Sequence, residues 1–178
     1  MTWVLESVCS YPFSSSVAIE LLMMQIRLFQ SRDTEQIAQL FHDTVRQINI
    51  QDYSPKQVAA WSPENIYFRD WLQACSSRFT YVAEQQGKII GFGEIEVDGH
   101  IDCFYVHHRH QRQGVGTKLY LAIENKARKL NLTCLLTEAS ITAKPFFTSR
   151  GFRTVSVQQV WCRGEKFTNY LMKKRLDY

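Results

Sequence analysis

The segment Gln111-Arg112-Gln113-Gly114-Val115-Gly116 decides the fold of this chain, because it joins an apolar strand to an amphipathic helix. Its two glycines let the backbone turn tightly and come close to a ligand. Successive amide groups at the start of the helix can then bind a pyrophosphate, where the helix dipole also favours negative charge. The segment therefore predicts a site for an anionic ligand in the middle of the chain.

The composition is that of one ordinary globular domain. Of the 178 residues, 45% are hydrophobic and 21% are charged, and the formal net charge is +4. That charge is too small to indicate nucleic-acid binding by itself, and it suits a phosphate-rich cofactor or an acidic substrate equally well. The five cysteines are scattered and form no C-x-x-C pair, which predicts a reduced, cytoplasmic protein. We expect neither a nucleic-acid partner nor a membrane partner.

The first 23 residues are expected to be an N-terminal extension outside the core, with the domain spanning 24–178. The apolar run 17–23 is too short to span a bilayer and contains Glu20. A secretory signal would begin with positive charge, whereas the early charge here is Glu6.

The order of the predicted elements indicates an α/β fold. Residues 79–83, 88–97 and 100–106 predict an antiparallel meander, whose second turn is Asp98-Gly99. The helix 114–130 and the apolar strand 133–137 follow, and they complete a βαβ unit whose strands should be parallel neighbours. The remaining segments predict three more strands, at 25–29, 153–161 and 168–174. They also predict a helix with Asp33 as its N-cap, helical residues 55–61 and 66–75, and a short helix 142–150.

The position of the glycine segment argues against two common phosphate sites. A dinucleotide-binding fold places its glycine turn after its first strand, whereas this turn follows the fourth. The phosphate-loop pattern G-x-x-x-x-G-K-[ST] is absent from the sequence.

Two longer motifs carry a resemblance to a known family. The run V-H-H-R-H-Q-R-Q-G-V-G-T-K-L, Val106 to Leu119, resembles motif A of the GNAT superfamily of acetyl-CoA-dependent N-acetyltransferases. The run A-S-I-T-A-K-P-F-F-T-S-R-G-F, Ala139 to Phe152, resembles motif B. The chain is most similar to the YafP-like branch, also at Cys162 to Asn169 and Tyr53 to Gln57, so the resemblance covers Met24 to about Lys174.

The resemblance implies a GNAT-like fold with acetyl-CoA as its co-substrate. The expected fold is a mixed, mostly antiparallel sheet of about seven strands, with helices on both faces and a central parallel pair that splays apart. Backbone groups of Phe104, Tyr105 and Val106 would pair with the pantetheine arm, and Ser140 would hydrogen-bond it where the family often has Asn. The pyrophosphate would be held by the glycine segment and the residue after it, which are Gln111, Arg112, Gln113, Gly114, Val115, Gly116 and Thr117.

Phe147 departs from the family pattern. Many members carry a Tyr here that protonates the leaving thiolate, whereas Phe147 can only line the coenzyme. Tyr105, Tyr170 and Cys134 are alternative proton donors, and unassisted departure is the other alternative, since a thiol has a pKa of about 8.5.

Three carboxylates are candidates for the base that accepts the amine proton. Glu94 and Glu96 share one strand face, and Glu94 is favoured because Gly91 and Gly93 would open space beside it. Asp102 is the other candidate base, because it lies closer to the expected thioester. Alternatively, Glu94 and Glu96 have no catalytic role and lie on a solvated face of the sheet. The candidate catalytic residues are therefore Glu94, Asp102 and Tyr105.

The histidine cluster does not predict a metal site. His107, His108 and His110 lie beside two arginines, and adjacent strand residues point to opposite faces. We expect no metal cofactor and a positive rim for coenzyme phosphates. Tyr53 and Trp61 are the residues we expect in the acceptor cleft.

The function that the sequence predicts is acetyl transfer from acetyl-CoA to a primary amine of a small molecule, by direct attack in a ternary complex. Acetylation of protein or peptide amines is one alternative. A coenzyme-A-binding sensor with weak catalysis is another, because of Phe147. The resemblance is also compatible with a homodimer.

Overall fold

The computed structural model describes residues 24–177, so the expected extension 1–23 lies outside the described residues. The strands are β1 Gln25–Leu28, β2 Phe79–Gln85, β3 Lys88–Ile95, β4 His100–Ile101, β5 Phe104–Val106, β6 Cys134–Ser140, β7 Arg153–Cys162 and β8 Glu165–Arg175. The helices are α1 Thr34–Gln47, α2 Pro55–Trp61, α3 Trp71–Ser76, α4 Val115–Lys129 and α5 Lys144–Ser149. None of the helices within 24–177 is both long and apolar enough to cross a bilayer.

The strands form two four-stranded sheets, in the orders β1-β2-β3-β5 and β4-β6-β8-β7. The neighbours in the first sheet are antiparallel, and the second sheet contains the parallel pair β4–β6. Helix α4 packs on one face of β3 and α1 on the other. The predicted α/β class with a mixed, mostly antiparallel sheet is confirmed.

The predicted strand 100–106 divides at Asp102 and Cys103, which gives eight described strands instead of seven. Before the division, Ile101 lies opposite Thr137 of β6. After it, Phe104 lies opposite Gly93 of β3. The chain thus changes from one sheet to the other within two residues, and a gap opens between β5 and β6. This is the predicted splay of the central parallel pair.

Gly91 and Gly93 allow α4 to pack closely on β3. A Cβ atom at Gly91 would lie 2.9 Å from Cγ1 of Val115, and one at Gly93 would lie 3.0 Å from Cδ1 of Ile123. Strand residues alternate between faces, so Glu94 projects to the opposite side. The expectation that these glycines open space beside Glu94 is therefore wrong.

Two local expectations about the helices are also corrected. Asp33 does not cap α1 through its side chain, because its carboxylate accepts hydrogen bonds from Arg27 at 2.6 and 2.8 Å. The predicted helical stretch 66–75 is helical only from Trp71 onwards. Asp70 caps this helix by accepting a hydrogen bond from the backbone N–H of Gln73 at 2.9 Å.

Candidate functional site

A cavity of about 1040 Å³ lies where the two sheets diverge. It is lined by the glycine segment at one end, by β5, β6 and α5 along its length, and by Tyr53 and Trp61 at the other end. The volume lies at the upper end of the roughly 300–1,000 Å³ range of small-ligand pockets, so the cavity has room for a large ligand.

The glycine segment leads into the N-terminus of α4 and lines the cavity. Arg112 and Gly114 adopt left-handed backbone conformations, with φ of 61° and 81°. The first hydrogen bond of α4 joins the N–H of Lys118 to the carbonyl of Gly114 at 3.1 Å. The preceding N–H groups of Val115, Gly116 and Thr117 have no partner within the helix, and Gly114 has no side chain to cap them. They are free to bind phosphate oxygens.

Side chains around the segment fix its shape and add positive charge. Gln111 donates a hydrogen bond from Nε2 to the carbonyl of Val106 at 2.6 Å, and Gln113 donates one to the carbonyl of Arg109 at 3.1 Å. Arg112 and Arg150 line the cavity beside the segment. This end therefore combines oriented amides with guanidinium groups, which suits several phosphates.

Strand β5 presents part of its backbone to the cavity. Cys103 and His107 hydrogen-bond to β3, through Cys103 O to the N–H of Glu94 and through the N–H of His107 to Ile90 O, each at 2.9 Å. Because alternate residues of an antiparallel strand face the partner, Phe104 and Val106 turn their backbone groups away from β3, into the gap. An extended ligand can pair there as an added strand.

The opposite wall is built from the end of β6 and from α5. Ser140 lines the cavity, and its Oγ accepts a hydrogen bond from the N–H of Ala143 at 3.0 Å. Phe146 stacks on Phe104 with ring centroids 5.1 Å apart. Phe147 also lines the cavity but is only 2% exposed, so it contributes an apolar wall.

Glu94 is fully buried and is not among the residues that line the cavity. Its Oε1 accepts a hydrogen bond from Cys75 at 3.4 Å, and its Oε2 lies 3.9 Å from Arg69 and 3.5 Å from Arg78. Burial raises the pKa of Glu94, and the charge of Arg69 offsets part of that rise. Glu94 therefore lies behind the cavity wall, in contact with two guanidinium groups.

Asp102 lies at the division between β4 and β5 and lines the cavity, with 35% of its side chain exposed. Its Oδ2 lies 3.4 Å from Nη2 of Arg69 and 3.3 Å from Nη2 of Arg78. The same two arginines contact Glu94, so they hold the two carboxylates together. Of the two carboxylates, Asp102 is the one a ligand can reach.

The ligand-type atoms of Glu94, Asp102 and Cys103 lie within 4.8 Å of one another. The guanidinium groups of Arg69 and Arg78 already provide positive charge at this cluster, and Arg69 lies 3.3 Å from the sulfur of Cys103. These arginines would repel a metal ion at the same position.

The three alternative proton donors lie in different places. Tyr105 lines the cavity, and its ring packs on Phe41 and Phe92 with centroid distances of 4.8 and 5.6 Å. Burial raises the pKa of Tyr105 well above its usual value. Tyr170 and Cys134 are not among the cavity-lining residues.

Tyr53 and Trp61, the residues expected in an acceptor cleft, both line the cavity, with ring centroids 5.3 Å apart. The hydroxyl of Tyr53 accepts a hydrogen bond from the N–H of Ile141 at 3.0 Å, which joins the segment before α2 to the end of β6. Phe167 packs on Tyr53 and Trp61 at 5.6 and 5.8 Å, so this part of the cavity has an aromatic wall.

Sequence reasoning assigned no role to several polar cavity residues, which are Asn49, Glu138, Arg150 and Asn169. Asn169 belongs to a motif used for the resemblance, and its alternation with buried Phe167 could have placed both on one face. Glu138 was missed because β6 extends to Ser140, three residues beyond the predicted strand.

Comparison with known proteins agrees with this geometry. A sequence profile described as acetyltransferase (GNAT) domain matches residues 49–174. The uncharacterized N-acetyltransferase YafP of Escherichia coli (strain K12) is 34% identical over 150 residues, which covers 84% of this chain and 95% of that protein.

Solved structures share the fold. A GCN5-related N-acetyltransferase from Rhodopseudomonas palustris superposes with a TM-score of 0.80 at 30% identity, covering 85% of this chain and 95% of that one. PaiA N-acetyltransferase from Thermoplasma acidophilum, in complex with coenzyme A, has a TM-score of 0.73 at 15% identity and covers 86% and 99%. The structure of yncA from Salmonella typhimurium, with its cofactor acetyl-CoA, has a TM-score of 0.62 at 18% identity and covers 88% and 95%.

Proposed function

Because this chain belongs to the GNAT family of N-acetyltransferases, we propose that it transfers the acetyl group of acetyl-CoA to a primary amine of a small molecule, by direct attack in a ternary complex. One observation carries the proposal. A single cavity joins the anion-binding terminus of α4 to the carboxylate of Asp102, along the open edge of β5.

The phosphate end binds the donor. The N–H groups of Val115, Gly116 and Thr117 bind the pyrophosphate, while Arg112 and Arg150 neutralise phosphate charge. A Cβ atom at Gly116 would lie 3.2 Å from the ring of Phe146, so only glycine leaves space here for the pyrophosphate to approach the backbone. Phosphate binding at this end aligns the rest of the coenzyme along β5.

The pantetheine arm pairs with the free backbone groups of Phe104 and Val106, which directs the thioester towards the division at Asp102. A backbone N–H at this opening can hydrogen-bond the thioester carbonyl and stabilise the oxyanion of the tetrahedral intermediate. The acceptor amine approaches from the side of Tyr53 and Trp61.

Asp102 accepts the proton that the attacking amine loses. The nitrogen lone pair forms the new C–N bond, the C–S bond breaks, and coenzyme A leaves as a thiolate. Glu94 acts through Arg69 and Arg78, which position Asp102. Glu94 is thus a positioning residue in this proposal, and Asp102 is the base.

Direct attack is supported by the state of the nearest thiols. Burial raises the pKa of Cys103 well above that of a free thiol. Burial and the nearby charge of Glu94 both raise the pKa of Cys75. Both thiols are therefore protonated at neutral pH and poor nucleophiles. The thiolate of coenzyme A leaves unassisted by Phe147, which is acceptable for a thiol whose pKa is about 8.5.

Release of free coenzyme A with a panel of small amines tests this function. We expect release that depends on both acetyl-CoA and the amine, and that continues over many turnovers. Acetyl-CoA binding without release from any small amine would contradict the proposal. A peptide panel run in parallel then distinguishes a peptide acetyltransferase from a sensor, because only the former would release coenzyme A.

A further inference from the structure

The charged side chains that line the cavity are segregated by sign. Among the cavity-lining residues within 24–177, the arginines are Arg112 and Arg150, both beside the glycine segment. Asp102 and Glu138 are the acidic residues in the lining; Asp102 follows β4, and Glu138 lies on β6, the strand that pairs with β4. An acceptor that enters there meets carboxylates and aromatic rings and no arginine or lysine of the cavity lining.

Three hydrogen-bond acceptors of the cavity lining, Asp102, Glu138 and Asn169, lie on or directly after three successive strands of the second sheet, β4, β6 and β8. Ser140 lies opposite Asn169, so Glu138, two residues earlier, shares the face of Asn169. His100 of β4 hydrogen-bonds Glu138, and Asp102 follows directly after β4. Asp102, Glu138 and Asn169 all line the cavity.

Two of these groups have capacity for a ligand. The Oδ1 atom of Asn169 is buried and has no hydrogen-bond partner among the described residues. A buried acceptor of this kind is destabilising unless a donor reaches it. Both ion pairs of Asp102 are made by Oδ2, which leaves Oδ1 for the attacking amine.

Glu138 is compensated in a different way. Burial alone would lower the pKa of His100, but its hydrogen bond to Glu138 and the nearby acidic charges raise it above the usual value. Glu138 thus already has a hydrogen-bond partner in His100, whereas Oδ1 of Asn169 has none among the described residues. An N–H group of a ligand at Asn169 would supply that donor.

Resting on the proposed function, we infer that the acceptor is a small cationic amine whose far end carries a second N–H donor and no carboxylate. The reacting nitrogen lies at Asp102, the second donor binds Oδ1 of Asn169, and the aliphatic body lies against the wall of Tyr53, Trp61 and Phe167. A carboxylate at the far end would face Glu138 and Asn169 Oδ1 without a guanidinium partner in the lining.

Three compounds with one carbon chain test this specificity. They are 1,4-diaminobutane, 1-aminobutane and 4-aminobutanoate, which differ only in the group at the far end. We expect kcat/KM for the diamine to exceed that for the monoamine by about 10-fold or more, since hydrogen bonds to charged groups are among the strong ones. The amino acid should be the poorest of the three.

Two substitutions assign the effect to Asn169. Asn169→Leu should reduce the diamine-to-monoamine ratio of kcat/KM towards one, and Asn169→Asp should increase it. Gln158→Leu is the matched control, because Gln158 lies opposite Asn169 on β7 but is not in the cavity lining. Thermal unfolding of each variant identifies any loss of fold.

The outcomes separate this inference from the proposed function. A preference for 4-aminobutanoate, or a diamine-to-monoamine ratio that Asn169→Leu leaves unchanged, would overturn the inference while leaving acetyl transfer established. Absence of coenzyme A release from all three compounds and from the wider amine panel would contradict both.

Discussion

Gly114→Glu is expected to abolish acetyl-CoA binding while the domain stays folded. No atom lies within 4 Å of a Cβ built at Gly114, so the new side chain has room in the empty cavity. Its carboxylate would lie beside the pyrophosphate position. Two unit charges about 4 Å apart repel by about 4 kcal/mol at an effective dielectric constant of about 20. That energy is a factor of roughly 1000 in affinity, which titration calorimetry measures.

Gly87→Glu is the matched control for this substitution. Gly87 has a φ of 74°, close to the 81° of Gly114, and it too has no atom within 4 Å of a built Cβ. It lies in the turn between β2 and β3, outside the cavity lining. Both variants should lose similar stability, and only Gly114→Glu should lose the ligand. Equal affinities in the two variants would refute the phosphate-segment assignment.

Asp102→Asn is expected to lower kcat by about 10²–10⁴-fold at neutral pH, the usual contribution of a general base. Binding of acetyl-CoA should not change, because the phosphate groups are held at the other end of the cavity. Without the base, the amine must lose its proton to water. The residual rate of the variant should therefore keep rising as the pH approaches the pKa of the amine, about 10. Rates measured between neutral and alkaline pH show this dependence.

Two neighbouring carboxylates provide the controls for Asp102. Glu96 binds the same arginine, with its Oε1 2.7 Å from Nε of Arg78, but is not in the cavity lining. Glu96→Gln should therefore retain kcat close to that of the unsubstituted protein. Glu94→Gln should lower the rate but preserve the shape of the pH profile, because Glu94 acts through Arg69 and Arg78. A flattened profile in Glu94→Gln, with a normal one in Asp102→Asn, would make Glu94 the base.

The fold and the glycine segment were predictable because they depend on local signals. Glycine positions, strand alternation and the change from strand to helix at Gly114 are properties of adjacent residues. They predicted α4 and the parallel pair, and the structure places the glycine segment in the lining of the cavity. The cap of α3 at Asp70 was missed, since the apolar pattern of residues 66–75 continues through the turn that precedes Asp70.

The side of the site that we propose for the acceptor was less predictable because it depends on non-local contacts. Period-two alternation placed Glu94 and Glu96 on one face, and both do bind Arg78. It could not show that α4 packs on the face of β3 that carries Gly91 and Gly93. Nor could it show that the cavity opens where the strand divides after Ile101. Asn169 reaches the cavity from β8, which is separated by β6 from β4, the strand directly before Asp102.

Initial velocities with both substrates varied test the central claim most directly, which is that one cavity brings acetyl-CoA and the amine together. Direct transfer in a ternary complex predicts that double-reciprocal plots against acetyl-CoA, drawn at several amine concentrations, give lines that intersect. Parallel lines, accompanied by release of coenzyme A in the absence of amine, would show an acetylated enzyme intermediate and contradict the account.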